Sequence, residues 1–540
     1  MVEWFVTAVL LACLFAGMRS EAVVRIGACI VMGTCAEILL AYSGPEITMR
    51  PTRPDVAPGC WLIFLVPLLL AYQGDVLDAT NLSYASLITF GVHIFVLKSF
   101  NEATNLIGLF MCCFPCGQLN CSSAVMALFI SLLSIELLDV FPYSLTVGES
   151  ILFAQLNLTF ILSLRGFLPI FIVAYLVEHY RVGFNVVSLG EACLLVVLLW
   201  PALLSLGSLF SADVGVLDLL WPLSLITWEN ILLVVVWIPM CLTAIAVVLL
   251  YSCQNNPQSP PAKTVEELTD FNAQPEAKNT VSSKDQNEPA KVVNMKRSRT
   301  PFFIRKLFHL LAGFVFFTGL LISPVFLSFA SVGVFLAFLL VEWARRRGRQ
   351  SISRALNNAL GPFRDSRDQG EILLTPIALL LGLSLPIWGI GLSSTHSNSL
   401  AFIIVYHRSL LTTADMHPTV PLALRPTMTS SLQFRPSAWS GVITIALGDS
   451  IAALVGRQWG GRLKWPGSHR TVLGSFASLL SQLMLWALLV HLGEWPWRQG
   501  ILPLVAGVLA EAYTEQIDNL AVPLLVMTLF SAQDDRLTYR

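Results

Sequence analysis

Apolar residues in this chain fill whole stretches instead of recurring on one face. They occupy 4–18, 23–42, 60–72, 83–100, 122–140, 167–176, 186–206 and 231–253, and again 307–322, 324–341, 372–392, 441–455, 472–492, 501–509 and 520–530. A helix needs roughly 20 such residues to cross a bilayer. The pattern therefore predicts an all-α polytopic transmembrane protein of roughly 12–15 membrane helices, several of them short or interrupted by Pro or Gly.

One break divides the runs into two halves. Residues 254–300 are polar, Pro-rich and almost free of aromatics, a composition that cannot bury enough surface to fold alone. They read as a disordered loop between an N-terminal multi-span region, 1–253, and a C-terminal membrane domain, 301–540. The loop ends in a basic cluster, Lys296 to Arg299 with Arg305 and Lys306, and the positive-inside rule places that end in the cytoplasm. Residues 351–360 have the pattern of an amphipathic interfacial helix. A charged turn at 363–370 carries Arg364, Asp365, Arg367 and Asp368, and 393–440 shows neither a period nor a role. The first apolar run follows Glu3 and has no basic flank, so it reads as a membrane segment and not as a cleaved signal.

Composition agrees with a membrane protein. Of 540 residues, 55% are hydrophobic and 12% charged, against about 25% charged in soluble proteins. The net charge of -1 argues against a nucleic-acid partner. Most of the 11 cysteines lie in apolar runs, where they act as small hydrophobes. Cys112, Cys113, Cys116 and Cys121 cluster, but no second His/Cys cluster completes a zinc pattern, so thiols in a membrane helix or at its end are the favoured reading.

The chemistry concentrates in 443–473. An apolar helix carries Asp449, breaks at Gly456, and gives way to a loop with Arg457, Gly460, Gly461, Arg462, Lys464, Trp465, Pro466, Gly467, Ser468, His469, Arg470 and Thr471. Gly448, Ala452 and Gly456 are spaced for helix packing, which accounts for the glycines but not for an acid at membrane depth. Glycine backbone N–H groups form anion nests, Arg and Lys neutralise phosphate oxygens, and Thr471 is placed to cap the next helix, whose N-terminus favours a phosphate. The loop lacks the Walker A spacing; its plain alternative is an ordinary positive-inside loop.

Farther on, Glu511, Glu515 and Asp518 follow i, i+4, i+7 and on one helix would share a face. Their mutual repulsion would be relieved by a hard cation, and Mg²⁺ with nucleotide phosphates uses one or two carboxylates. A solvated surface helix is the alternative. Arg305, Lys306 and His309 also share a face, with anchoring in lipid headgroups favoured over phosphate binding.

These segments resemble the dolichol kinases. The resemblance is carried by Arg305-Lys-Leu-Phe-His309, Arg-Asp-Gln-Gly at 367–370 with Leu383-Ser-Leu-Pro-Ile-Trp388, Leu447-Gly-Asp-Ser450, Lys464-Trp-Pro-Gly467 with Thr471, and Glu511-Ala-Tyr-Thr-Glu-Gln-Ile-Asp-Asn519. It implies a multi-pass enzyme of the endoplasmic reticulum membrane, its active site facing the cytoplasm, that transfers the terminal phosphate of CTP to dolichol. It places CTP on Gly456 to Thr471, with His469-Arg470 standing where the family tends to have Lys-Lys. Asp449, Glu511, Glu515 and Asp518 become candidate ligands for Mg²⁺ or another divalent cation. Asp449, Asp518 and Glu511 become the candidate catalytic acids. Membrane lipids would surround the substrate's tail. Another isoprenoid-alcohol kinase, a membrane cytidylyltransferase and a multi-span transporter are the alternatives. A transporter would show paired broken helices in two halves, and the sequence shows no such pairing.

Overall fold

The computed structural model describes residues 6–8, 21–42, 52–53, 56–72, 76–97, 121–163, 227–254, 302–347, 350–360, 373–392, 435–493 and 495–538. Cys112, Cys113 and Cys116, the runs at 167–176 and 186–206, almost all of 254–300, the charged turn at 363–370 and nearly all of 393–440 lie outside them.

The described chain is α-helical, as the apolar runs require: with no water at membrane depth, each backbone amide must be satisfied within its own segment. In the N-terminal region α1 spans Glu21–Tyr42, a 3-10 turn at Cys60–Phe64 runs into α2, Leu65–Tyr72, and α3 (Val76–Leu97), α4 (Cys121–Val140) and α5 (Val147–Ser163) follow. Next come α6 (Trp228–Gln254), α7 (Phe302–Ile322), α8 (Pro324–Arg347), α9 (Gln350–Leu360) and α10 (Leu374–Leu392). Five helices are long and apolar enough to cross a membrane and three shorter ones are apolar, counted among the described residues. The predicted interfacial helix is α9, tied to the end of α8 where Arg345 Nη1 donates to Asn357 Oδ1 at 2.8 Å and Ser353 Oγ to the Arg345 carbonyl at 2.6 Å.

The last part of the chain supplies most of the site. A 3-10 turn at Pro436–Trp439 leads into a π-helical segment, Val442–Asp449, which passes into α11, Ser450–Trp459. Then come α12 (Val472–Gly493), α13 (Arg498–Tyr513) and α14 (Asp518–Thr538). From Leu520 to Ala532 every residue of α14 is buried, because it packs against α10, α13 and the N-terminal α2 together. Pro523 lies inside it, tolerated because neighbouring helices can satisfy the freed backbone groups. Glycines set the closest crossings: a Cβ on Gly313 of α7 would overlap the Ala446 side chain, and one on Gly382 of α10 would meet the Asn519 carbonyl.

The helix carrying Asp449 does not break at Gly456 as expected. It continues to Trp459, because Gly456 is a contact surface and not a stop: a Cβ there would stand 2.7 Å from Thr471 Oγ1. The chain leaves the helix at Gly460, just before Gly461 takes a φ of 54°, a left-handed conformation that favours glycine.

Candidate active site

Asp449 ends the π-helical segment and is buried. The wider π turn is uncommon and often marks functional sites. Two residues of α7 reach its carboxylate: Lys306 Nζ stands 2.5 Å from Oδ2, and His309 Nε2 is 3.6 Å from the same oxygen. His309 is held in place through Nδ1, 2.8 Å from the Arg305 carbonyl oxygen. The spacing of 306 and 309 thus does place both on one face, but the expected headgroup anchoring is wrong for them. That face is turned inward onto Asp449, and His309 is buried.

The loop is a β-hairpin. Val472 N–H donates to the Leu463 carbonyl and Trp465 N–H to the Arg470 carbonyl, each at 3.1 Å, around an isolated bridge between Lys464 and Thr471. Ser468 N–H closes a turn onto the Trp465 carbonyl at 3.1 Å, with Pro466 second and Gly467 third at φ 72°. This is the type II signature, in which the third residue needs a positive φ. Ser468 Oγ donates to the Ala512 carbonyl at 2.6 Å, and Trp465 Nε1 to Ser475 Oγ at 3.0 Å beside the Tyr513 ring. Trp465, Pro466, Gly467 and Ser468 therefore build the hairpin and dock it on the end of α13. Arg457, Arg462, Lys464 and His469 are exposed, as residues that meet a soluble anion must be.

Thr471 caps α12 as expected: its Oγ1 accepts the Gly474 N–H at 3.2 Å. The small-residue stripe serves helix packing, as the plain reading had it, and the structure makes the partner α12. A Cβ on Gly474 would lie 2.7 Å from the Ala452 carbonyl oxygen. Filling such a crossing forces backbone shifts worth about 1–3 kcal/mol. Gly456→Val is expected to lose stability of that order and to weaken nucleotide binding by displacing Thr471; thermal unfolding and nucleotide titration of the purified chain measure the two.

Across from Asp449 the expected single acidic helix does not exist. α13 ends at Tyr513, Thr514 is extended with ψ 137°, and α14 begins at Asp518. The break nevertheless brings two of the three acids in. Asp449 and Glu511 each feel the charges of Lys306, Arg470 and Asp518, and Glu511 feels that of Asp449 as well. Arg470 Nη2 binds Asp518 Oδ2 at 2.6 Å, and Asp518 Oδ1 accepts the Asn519 N–H at 2.9 Å. Glu515 goes elsewhere: it is exposed, and its Oε2 accepts the Ala57 N–H at 3.2 Å.

Three acids thus share a mostly buried space with two permanent cations and one histidine, supplied by α7, the π-helical segment, the hairpin and the α13–α14 junction. Among the described residues, no three of His, Cys, Asp and Glu stand close enough to hold a metal ion by themselves. The sequence reading did not pair Lys306 and His309 with Asp449; their i, i+3 spacing was its only signal.

Over 254 residues the chain is 29% identical to the dolichol kinase of Homo sapiens, covering 46% of this chain and 41% of that protein. It is 26% identical over 235 residues to a dolichol kinase of Arabidopsis thaliana, covering 42% and 34%. It is 23% identical over 306 residues to one of Schizosaccharomyces pombe, covering 56% and 47%. The chain spans less than half the length of each of these relatives. No family model matches the chain, and no solved structure matches it. Across three organisms, then, the named proteins to which this membrane chain is similar are dolichol kinases.

Proposed function

We propose that the chain is a CTP-dependent dolichol kinase of the endoplasmic reticulum membrane, with its active site at the cytoplasmic interface. One observation carries the reading. Buried Asp449 and Glu511 and half-buried Asp518 gather beside the end of α11 and the hairpin, which expose Arg457, Arg462, Lys464 and His469, in a chain similar to dolichol kinases. The basic residues near 296–306 and at 345–347 support the cytoplasmic side.

In the proposed reaction the exposed cations of the hairpin take the triphosphate, and the alcohol oxygen of dolichol attacks the γ-phosphorus. A new O–P bond forms, the bond to the β-phosphate oxygen breaks, and CDP leaves with that electron pair. Asp449 takes or orients the alcohol proton, with Asp518 its alternative. Lys306 holds the Asp449 carboxylate in one orientation, and Arg470 does the same for Asp518. Phosphoryl transfer depends mainly on such positioning and charge neutralisation. The lipid tail lies between helices or in the bilayer.

The donor set fits a divalent cation that arrives with the nucleotide. Glu511 is buried, and no described residue gives it a hydrogen bond or ion pair. A buried carboxyl beside like charges is costly unless it holds a proton or meets a cation. Asp449 and Glu511, with Asp518 close by, would hold Mg²⁺, which neutralises charge on the transferring phosphate. One or two carboxylates are what Mg²⁺–nucleotide sites use, so the absence of a ready three-ligand group is no obstacle. Glu515, engaged with Ala57, is the least suited of the four candidates.

The test is a transfer assay with the full chain in membranes, dolichol, and CTP labelled in the γ- or the α-phosphate. Label should enter dolichol from γ-labelled CTP. No lipid phosphate from CTP overturns the proposal, and label from the α-phosphate makes the chain a cytidylyltransferase.

A further inference from the structure

Glu511 and Asp518 lie on either side of the elbow Thr514-Glu-Gln-Ile517, so the shape of that elbow decides how the two acids meet. The residues that shape it come from the N-terminal region. Thr146 and Glu149 form a reciprocal capping box at the start of α5: Thr146 N–H donates to Glu149 Oε2 at 2.9 Å, and Glu149 N–H to Thr146 Oγ1 at 3.3 Å. The box occupies only one carboxylate oxygen. The other, Oε1, accepts Arg53 Nη2 at 2.7 Å and the Ile517 N–H at 2.9 Å. Arg53 Nη2 also approaches the Glu515 carbonyl oxygen at 3.4 Å.

Gln516 is held at both ends of its amide. Thr146 Oγ1 donates to its Oε1 at 2.7 Å, and its Nε2 donates to the Ala57 carbonyl at 2.9 Å. Gly59, at φ 78°, leaves room for that side chain: a Cβ there would stand 2.7 Å from Gln516 Oε1.

As a source of stability this arrangement is poor. The Arg53 and Glu149 side chains are 2% and 1% exposed, and Arg53 Nε and Nη1 have no hydrogen-bond partner among the described residues. Burying an ion pair commonly loses as much in desolvation as the attraction returns, and a capping box needs no arginine. What the pair does supply is a fixed position for the Ile517 amide, one residue before Asp518. We infer that Arg53 and Glu149 are positioning residues that set Asp518 against Asp449 and Glu511, so that the N-terminal region completes the site. The inference rests on the kinase reading of that site.

The experiment uses the full chain in membranes with Glu149→Gln, which removes the charge but keeps an oxygen for Ile517, and the milder Thr146→Val, which removes the bond to Gln516. Two readouts are taken: steady-state transfer from CTP to dolichol per folded molecule, and amide exchange of a peptide containing Ile517. Misplacing a reacting group by 1 Å can lower turnover by about 100-fold. Glu149→Gln should therefore lower kcat by about tenfold or more with the KM for CTP near wild type, because the hairpin keeps its own contacts. Exchange at Ile517 should quicken, and Thr146→Val should shift both readouts the same way by less. Unchanged kcat per folded molecule, or activity lost only in proportion to folded protein, overturns the inference. If Glu149→Gln does not fold, Thr146→Val decides. An inert wild-type chain defeats the kinase reading instead, and the hold of Arg53 and Glu149 on the elbow then stands or falls on exchange alone.

Discussion

Asp449→Asn is expected to lower the transfer of phosphate from CTP to dolichol by about 100- to 10,000-fold, the range assigned to a general acid–base group. The substitution is nearly isosteric. Asn still offers Lys306 a hydrogen-bond acceptor, and a lysine whose side chain is 11% exposed can move its ammonium toward water. The variant should therefore insert and fold while losing the group that takes the proton. It should also bind divalent cation less well, since one anionic ligand of two or three is gone. Label transfer per folded molecule, with Mg²⁺ varied, measures both effects. Activity within a few-fold of wild type would remove Asp449 from the site and shift the role to Asp518.

Part of that site is legible in sequence for a physical reason. A carboxylate inside an apolar run is expensive, so Asp449 stands out without any structure, as does a loop with four glycines and as many fixed cations after it. The all-α membrane character is equally plain, because runs this apolar leave no other way to satisfy the backbone. The cap at Thr471 was readable because capping is local.

The rest depends on long-range contacts. Nothing near Lys306 says that the partner of its helical face is 143 residues away. The acids 511, 515 and 518 read as one helix because their segment contains no Gly or Pro. The helix ends because Glu149 takes the Ile517 amide and Arg53 approaches the Glu515 carbonyl. Tertiary bonds override a local preference there. The Thr-Val-Gly-Glu capping box at 146–149 was readable, but not the second oxygen's use. The π-helical turn that ends at Asp449 has no sequence mark either.

Lys306→Met separates what Lys306 does for the fold from what it does for the reaction. The change leaves the Asp449 carboxylate, 10% exposed, without its nearest cation. Removing one partner of a buried pair typically costs about 3–5 kcal/mol. His309, 3.6 Å from the same oxygen, can offset part of this by taking a proton, so the lower end of the range is expected. The asymmetry with Asp449→Asn is the informative point: a stranded carboxylate has no long chain with which to reach water, whereas a stranded lysine does. Combining the two changes removes both charges, so the double variant should be more stable than the sum of the single losses predicts, by a coupling of about 0.5–3 kcal/mol. Its activity should remain as low as that of Asp449→Asn. Unfolding in detergent across the four proteins of the cycle measures the coupling. Strict additivity would show that the pair contributes no joint term to stability, and Lys306 would then serve the nucleotide more than the carboxylate. A recovered fold with transfer still absent would show that the pair stabilises the fold, while the reaction depends on the carboxylate of Asp449.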